Sequence, residues 1–122
     1  MDKNFALVIE DDMDLADIFV TALQNAGYEV DHAANGRIAL EKLQGERVPG
    51  IILLDMHLPH ISGGDLLTGT IKADERYTRT TVIITTADAR MGDMYGDQVD
   101  FVLIKPISFI QLRDITARLK AK

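Results

Sequence analysis

The sequence predicts an α/β fold in which one parallel five-stranded sheet is covered by helices on both faces. Two observations carry that expectation. Five short strand-like runs alternate along the chain with segments of helical periodicity, the order that parallel strands joined by crossover helices produce. The runs at residues 5–9 (FALVI), 51–54 (IILL) and 101–104 (FVLI) are also continuously apolar, as in strands buried on both faces.

Residues 5–9 form the first strand, which ends in Glu10, Asp11 and Asp12. Leu15, Ile18, Phe19, Ala22, Leu23 and Ala26 then recur at helical spacing, and Gly27 stops the helix. Acids ahead of that helix suit its positive end, and Asp12 is the expected cap. Residues 28–32 (YEVDH) alternate as a less buried strand, and Asn35-Gly36 turns the chain into a short helix over 37–44. Pro49 and Gly50 interrupt the chain before the third strand at 51–54. A loop holding Pro59 and Gly63-Gly64 leads to a helix through Leu66, Leu67 and Ile71, and residues 80–86 (TTVIITT) form a β-branched strand. Gly92 and Gly96 punctuate 90–98, which predicts a short or irregular fourth helix, since each glycine costs roughly 1 kcal/mol against alanine. The fifth strand ends at Lys105-Pro106, and Ser108 with Gln111 makes a capping box for a last helix carrying Phe109, Leu112, Ile115 and Leu119.

At 122 residues the chain is expected to be one domain, 1–122. Its net charge of −6 repels nucleic acid and anionic membrane, so neither is an expected partner. The absence of cysteine excludes disulfides, thiolate metal sites and cysteine nucleophiles. No apolar run approaches the ~18 residues of a membrane span, and MDKNFALVIEDD lacks a signal peptide's pattern, so a cytoplasmic location is expected.

In such sheets the site lies beyond the carboxyl ends of the strands. Those ends carry Glu10 and Asp11, then Asp55, Thr86 and Lys105. Three carboxylates side by side need a counter-cation or raised pKa values. All-oxygen ligation without His or Cys side chains suits a hard ion such as Mg²⁺ (or Mn²⁺). An aspartate can act as nucleophile on phosphorus, and the transfer then mostly needs positioning and neutralisation of the moving oxygens. Asp55 is the candidate phosphoryl acceptor, with Lys105 and Thr86 as partners for the phosphoryl oxygens.

These pieces resemble the receiver domain of two-component response regulators over essentially the whole chain. VIEDD supplies Glu10 and Asp11, LLDMHLPHISGG supplies Asp55 with Pro59 and Gly63, and TTA and KP follow in order with Thr86 and Lys105. The resemblance implies a flavodoxin-like, doubly wound sheet of order 2-1-3-4-5. It implies that Asp11 and Asp55 ligate Mg²⁺ together with the main-chain carbonyl of His57, and that Glu10 acts through a bridging water. The phosphoryl donor would be a sensor histidine kinase or a histidine phosphotransfer protein. A downstream protein target and homodimerisation on phosphorylation are further implied partners. Beyond catalysing its own phosphorylation and dephosphorylation, such a domain is not an enzyme.

Many receivers carry Tyr or Phe three residues before the lysine, where this sequence has Val102. Phe101 should face the other side of the strand, which leaves 89–98 as the expected route for the signal. His57 and Asp88 border the expected path of the hydrolytic water. Met91, Met94 and Tyr95 read as packing, and His32 and His60 as surface residues without partners. A haloacid-dehalogenase-type phosphohydrolase is the enzyme alternative, but it needs a second Asp two residues after the nucleophile, where His57 stands. A flavodoxin-like cofactor binder needs a phosphate-cradling loop, and the EDD after the first strand repels phosphate. A receiver fragment of a hybrid kinase or transcription factor would carry the same residues, and no output domain is expected within them.

Overall fold

Strands β1 (Asp2–Ile9), β2 (Glu29–Ala33), β3 (Pro49–Asp55), β4 (Thr81–Thr86) and β5 (Phe101–Ile104) pair in parallel in the order β2-β1-β3-β4-β5. The coordinates are a computed structural model that describes residues 1–121. Alternation along each strand sorts its side chains between two cores. Leu7, Ile9, Ile52, Leu54, Val82 and Ile84 pack with Ala39 and Leu43 of α2 (Gly36–Leu43) and with Leu66 and Leu67. Ala6, Val8, Ile51, Leu53 and Ile83 face the other way, onto Phe19, Ala22 and Leu23 of α1 (Met13–Asn25) and Leu112 of α5 (Phe109–Ala121). The central strand β3 is thus apolar on both faces until Asp55, the last residue of its ladder.

Two expected loops are part of the regular structure. Asp2 pairs with Pro49 and its carboxylate is held by Arg47 at 2.8 Å, so β1 and β3 both begin before their apolar runs. Pro49 opens β3, a strand's first residue being a position where proline's missing N–H is tolerated. Asn35-Gly36 is a helix start rather than a free turn: Asn35 caps α2, accepting from the Ile38 N–H at 2.9 Å. Other signals stand as expected. Asp12 accepts from the N–H groups of Asp14 and Leu15 at the head of α1. Gly27 (φ 102°) ends that helix, with its own N–H on Gln24 O and that of Tyr28 on Leu23 O, the paired bonds of a Schellman close. Ser108 Oγ accepts from the Gln111 N–H at 3.2 Å.

Helix α3 runs through Gly63–Leu66 and continues as a wider π turn over Leu67–Ile71. Its start lies directly on the end of β3. A Cβ at residue 63 would overlap the Asp55 carbonyl, and one at 64 would overlap the hydroxyl of Tyr95. Helix α4 (Ala89–Tyr95) is short, buries no residue, and runs into a 3₁₀ turn at Gly96–Gln98. Met91 and Tyr95 pack against the core as expected, but Met94 is 64% exposed and does not. Backbone amide exchange across 89–98 should therefore be fast in the unmodified protein and slow when beryllofluoride and Mg²⁺ occupy the site. Exchange that is slow throughout and unchanged by the ligand would mean a rigid segment.

Candidate functional site

The parallel register brings the strand ends into one cluster. Ile9 lies opposite Leu54 and Asp55 opposite Thr85, so Glu10, Asp11 and Asp55 meet at the carboxyl edge of β1 and β3. Glu10 is 1% and Asp55 3% exposed, while Asp11 stands exposed at the rim. One carboxylate oxygen from each lies within 4.8 Å of the others. Lys105, just beyond β5, reaches in between: its Nζ is 2.8 Å from Glu10 Oε1 and 3.5 Å from Asp55 Oδ1. The His57 N–H donates to Asp55 Oδ1 at 3.1 Å, and the Asp12 N–H to Glu10 Oε2 at 3.2 Å.

Charge is not balanced in this cluster. Burial, and then the neighbouring Glu10 carboxylate, push the Asp55 pKa up to about 7, against the lowering effects of the His57 N–H and Lys105. For Lys105, burial works against the charged form, but the hydrogen bond it donates to Glu10 and the field of Asp55 prevail and its pKa is raised. With all three carboxylates ionised, one ammonium leaves two negative charges uncompensated. The donors are all oxygen, which fits a hard divalent cation of the Mg²⁺ type in charge and in ligand chemistry.

Sequence comparison agrees with this arrangement. The family description "response regulator receiver domain" matches residues 6–117. The chain is a receiver domain of the response regulator family. It is 29% identical to the probable methanogenesis regulatory protein FilR2 of Methanothrix harundinacea, over 98% of this chain and 83% of that protein. It is 33% identical to a probable transcriptional regulatory protein of Picosynechococcus, over 94% of this chain but only 47% of the relative's length. Among solved structures, the receiver domain of the sensor histidine kinase PA1611 from Pseudomonas aeruginosa superposes with a TM-score of 0.83. The two are 27% identical over 98% of both chains, and that structure holds a magnesium ion coordinated in its active site cleft. The chemotaxis response regulator CheY4 of Vibrio cholerae shares the fold, with a TM-score of 0.83 at 24% identity over 94% of this chain and 97% of its own.

Within the receiver, Glu10, Asp11, Asp55 and Lys105 come together, while Thr86 is fully buried and its hydroxyl is engaged elsewhere. Thr86 Oγ1 accepts from the Asp88 N–H at 3.0 Å and lies 3.3 Å from the Asp88 carbonyl. The Asp88 carboxylate is committed to α4: it caps the helix and pairs with Arg90 at 2.9 Å, which holds its pKa below the usual range. The side chain of His57 is exposed at the rim. Val102 packs into the core beneath α4, with Gly92 set flat against it, and Phe101 turns to the opposite side beside Ile115 and Leu119.

His60 is an exposed residue with φ 72°, but His32 is not the unpartnered surface residue its sequence suggests. It is half-buried, and its Nε2 lies 2.7 Å from the carbonyl of Glu10. The signal that would have found it is its place at the end of the strand paired with β1, opposite Val8. Among the described residues no helix is long and apolar enough to cross a membrane.

Proposed function

We propose that this receiver takes a phosphoryl group from a phosphohistidine onto Asp55 and passes the signal on by a change of conformation. The reading rests above all on the Lys105 ammonium placed between two buried carboxylates, Glu10 and Asp55, at the carboxyl edge of the sheet. An oxygen of Asp55 forms the new bond to phosphorus as the phosphorus–nitrogen bond of the donor imidazole breaks, and the imidazole leaves with its electron pair. Asp11, Asp55 and the main-chain carbonyl of His57 would hold Mg²⁺ (or Mn²⁺), with Glu10 acting through water. The ion, when bound, supplies charge neutralisation for the phosphoryl oxygens. Lys105 supplies a fixed positive charge at the same oxygens, and the Thr86 hydroxyl joins them once it leaves the Asp88 turn.

The donor on this reading is a sensor histidine kinase or a histidine phosphotransfer protein, and the receptor of the signal is a further protein. Residues 1–122 act as one cytoplasmic domain with no independent enzyme activity, and phosphorylation is the event that would favour a homodimer. Relatives of two kinds, a sensor kinase receiver and a probable transcriptional regulator roughly twice this length, support the same domain working inside a longer protein.

Acetyl phosphate with Mg²⁺ tests the reading, because it should add one phosphoryl group by intact mass and EDTA should prevent it. Two neighbouring acids sharpen the test. Asp11→Ala should weaken Mg²⁺ binding at least roughly tenfold, whereas Asp12→Ala should leave it intact and cost about 1 kcal/mol of stability as a lost helix cap. Equal Mg²⁺ affinities in the two variants would put the ion on other ligands.

A further inference from the structure

The carbonyl of Glu10 outlasts the sheet. The β1–β2 ladder ends at the Ile9–Ala33 pair, and the Glu10 N–H makes one more bond, to the Ala33 carbonyl at 3.1 Å. Past Ala33 the chain leaves β2 for the Asn35 cap of α2, so β2 offers no further strand N–H for the next carbonyl. The imidazole of His32 takes that place. Its Nε2 is 2.7 Å from the Glu10 oxygen, and since a carbonyl only accepts, Nε2 carries the proton. The register makes this reach possible: His32 lies opposite Val8, two residues short of Glu10 and so on the same face of the sheet.

Both main-chain groups of Glu10 are thus tied to β2, one through the strand and one through a side chain. At its far end the same residue holds Lys105 through Oε1 and the Asp12 N–H through Oε2, and its carboxylate shares a 4.8 Å cluster with Asp11 and Asp55. Building on the phosphoryl-acceptor reading, we propose that His32 is a positioning residue for the divalent-cation site: its ring bond fixes the backbone at Glu10 and thereby where that carboxylate stands. Without the ring, the carbonyl at the end of β1 is free to rotate toward water, and the Glu10 side chain loses its fixed origin. His32 touches neither the ion's proposed ligand oxygens nor the phosphoryl group, so its effect is on how well the site is assembled.

The test compares three substitutions by calorimetric titration with Mg²⁺ at one pH, alongside urea unfolding. H32L removes the donor and should weaken Mg²⁺ roughly tenfold, the low end of what loss of an orienting contact outside the ligands costs a metal site. H32Q places an amide N–H near the Nε2 position and should bind within about twofold of the wild type. H32N stays polar but is too short to reach the carbonyl, so it should behave as H32L does and carries the test if H32L does not fold. H32Q and H32N should unfold at similar urea concentrations, which separates positioning from stability. Mg²⁺ affinity unchanged in H32N, or lowered equally in H32N and H32Q, would overturn the proposal. A wild-type protein that binds no Mg²⁺ and takes no phosphoryl group would instead overturn the functional reading beneath it.

Discussion

Asp55→Asn should take up no phosphoryl group under conditions that fully label the wild type. The amide has lost the anionic oxygen that attacks phosphorus, and its neighbours are poorly placed to replace it. Glu10 is engaged at both carboxylate oxygens, by Lys105 and by the Asp12 N–H, and Asp11 stands at the exposed rim. Intact-mass measurement after acetyl phosphate and Mg²⁺ decides the matter, with one added phosphoryl group in the wild type and none in the variant. A labelled variant would move the acceptor to Glu10 or Asp11.

The same substitution should make the metal-free protein more stable above neutral pH. In the unfolded chain Asp55 titrates near the ordinary value of about 3.9; in the folded protein burial and Glu10 carry it to about 7. Between those values the folded state keeps a proton that the unfolded chain has released. Stability from this group is therefore complete at acid pH, falls as pH rises through the window, and levels off above it. At ~1.4 kcal/mol per unit, a shift of about three units sets an upper limit of roughly 4 kcal/mol. Asparagine does not titrate, so the variant should match the wild type near the acid end and exceed it by a few kcal/mol at the alkaline end. Urea unfolding in EDTA across this range measures the difference directly. An equal slope in both proteins would assign the titration to another acid. Added Mg²⁺ should restore the wild type at high pH, because a cation favours the charged cluster.

Much of this was written in the strands. Strand-like runs, apolar or β-branched, that end in Glu10, Asp55, Thr86 and Lys105 place those residues at one edge of any parallel sheet, because side-chain period and strand direction leave no other arrangement. What escaped were contacts that join distant backbone. Asn35-Gly36 serves a turn or a cap equally well until the helix behind it has a direction. His32 meets a carbonyl 22 residues away, and nothing local in YEVDH marks the imidazole as a donor. Met94 shares the helical spacing of Met91 and Tyr95, yet α4 is too short to turn all three against the core. The Asp88 carboxylate went to its own helix because Arg90 and the free N–H groups of α4 lay closer than the acidic cluster.

The contact between Gly64 and Tyr95 has a historical side as well as a mechanical one. A side chain at 64 would meet the phenol oxygen, the far end of a half-buried side chain, so substitution there forces the Tyr95 ring aside, whereas one at 63 meets the main chain of Asp55 and Met56. Exchange of Tyr95 for a smaller residue removes that contact and eases substitution at 64 afterwards. The order of events therefore matters: drift at 64 costs less once 95 has changed, while position 63, set against the Asp55 carbonyl, gains nothing from that exchange.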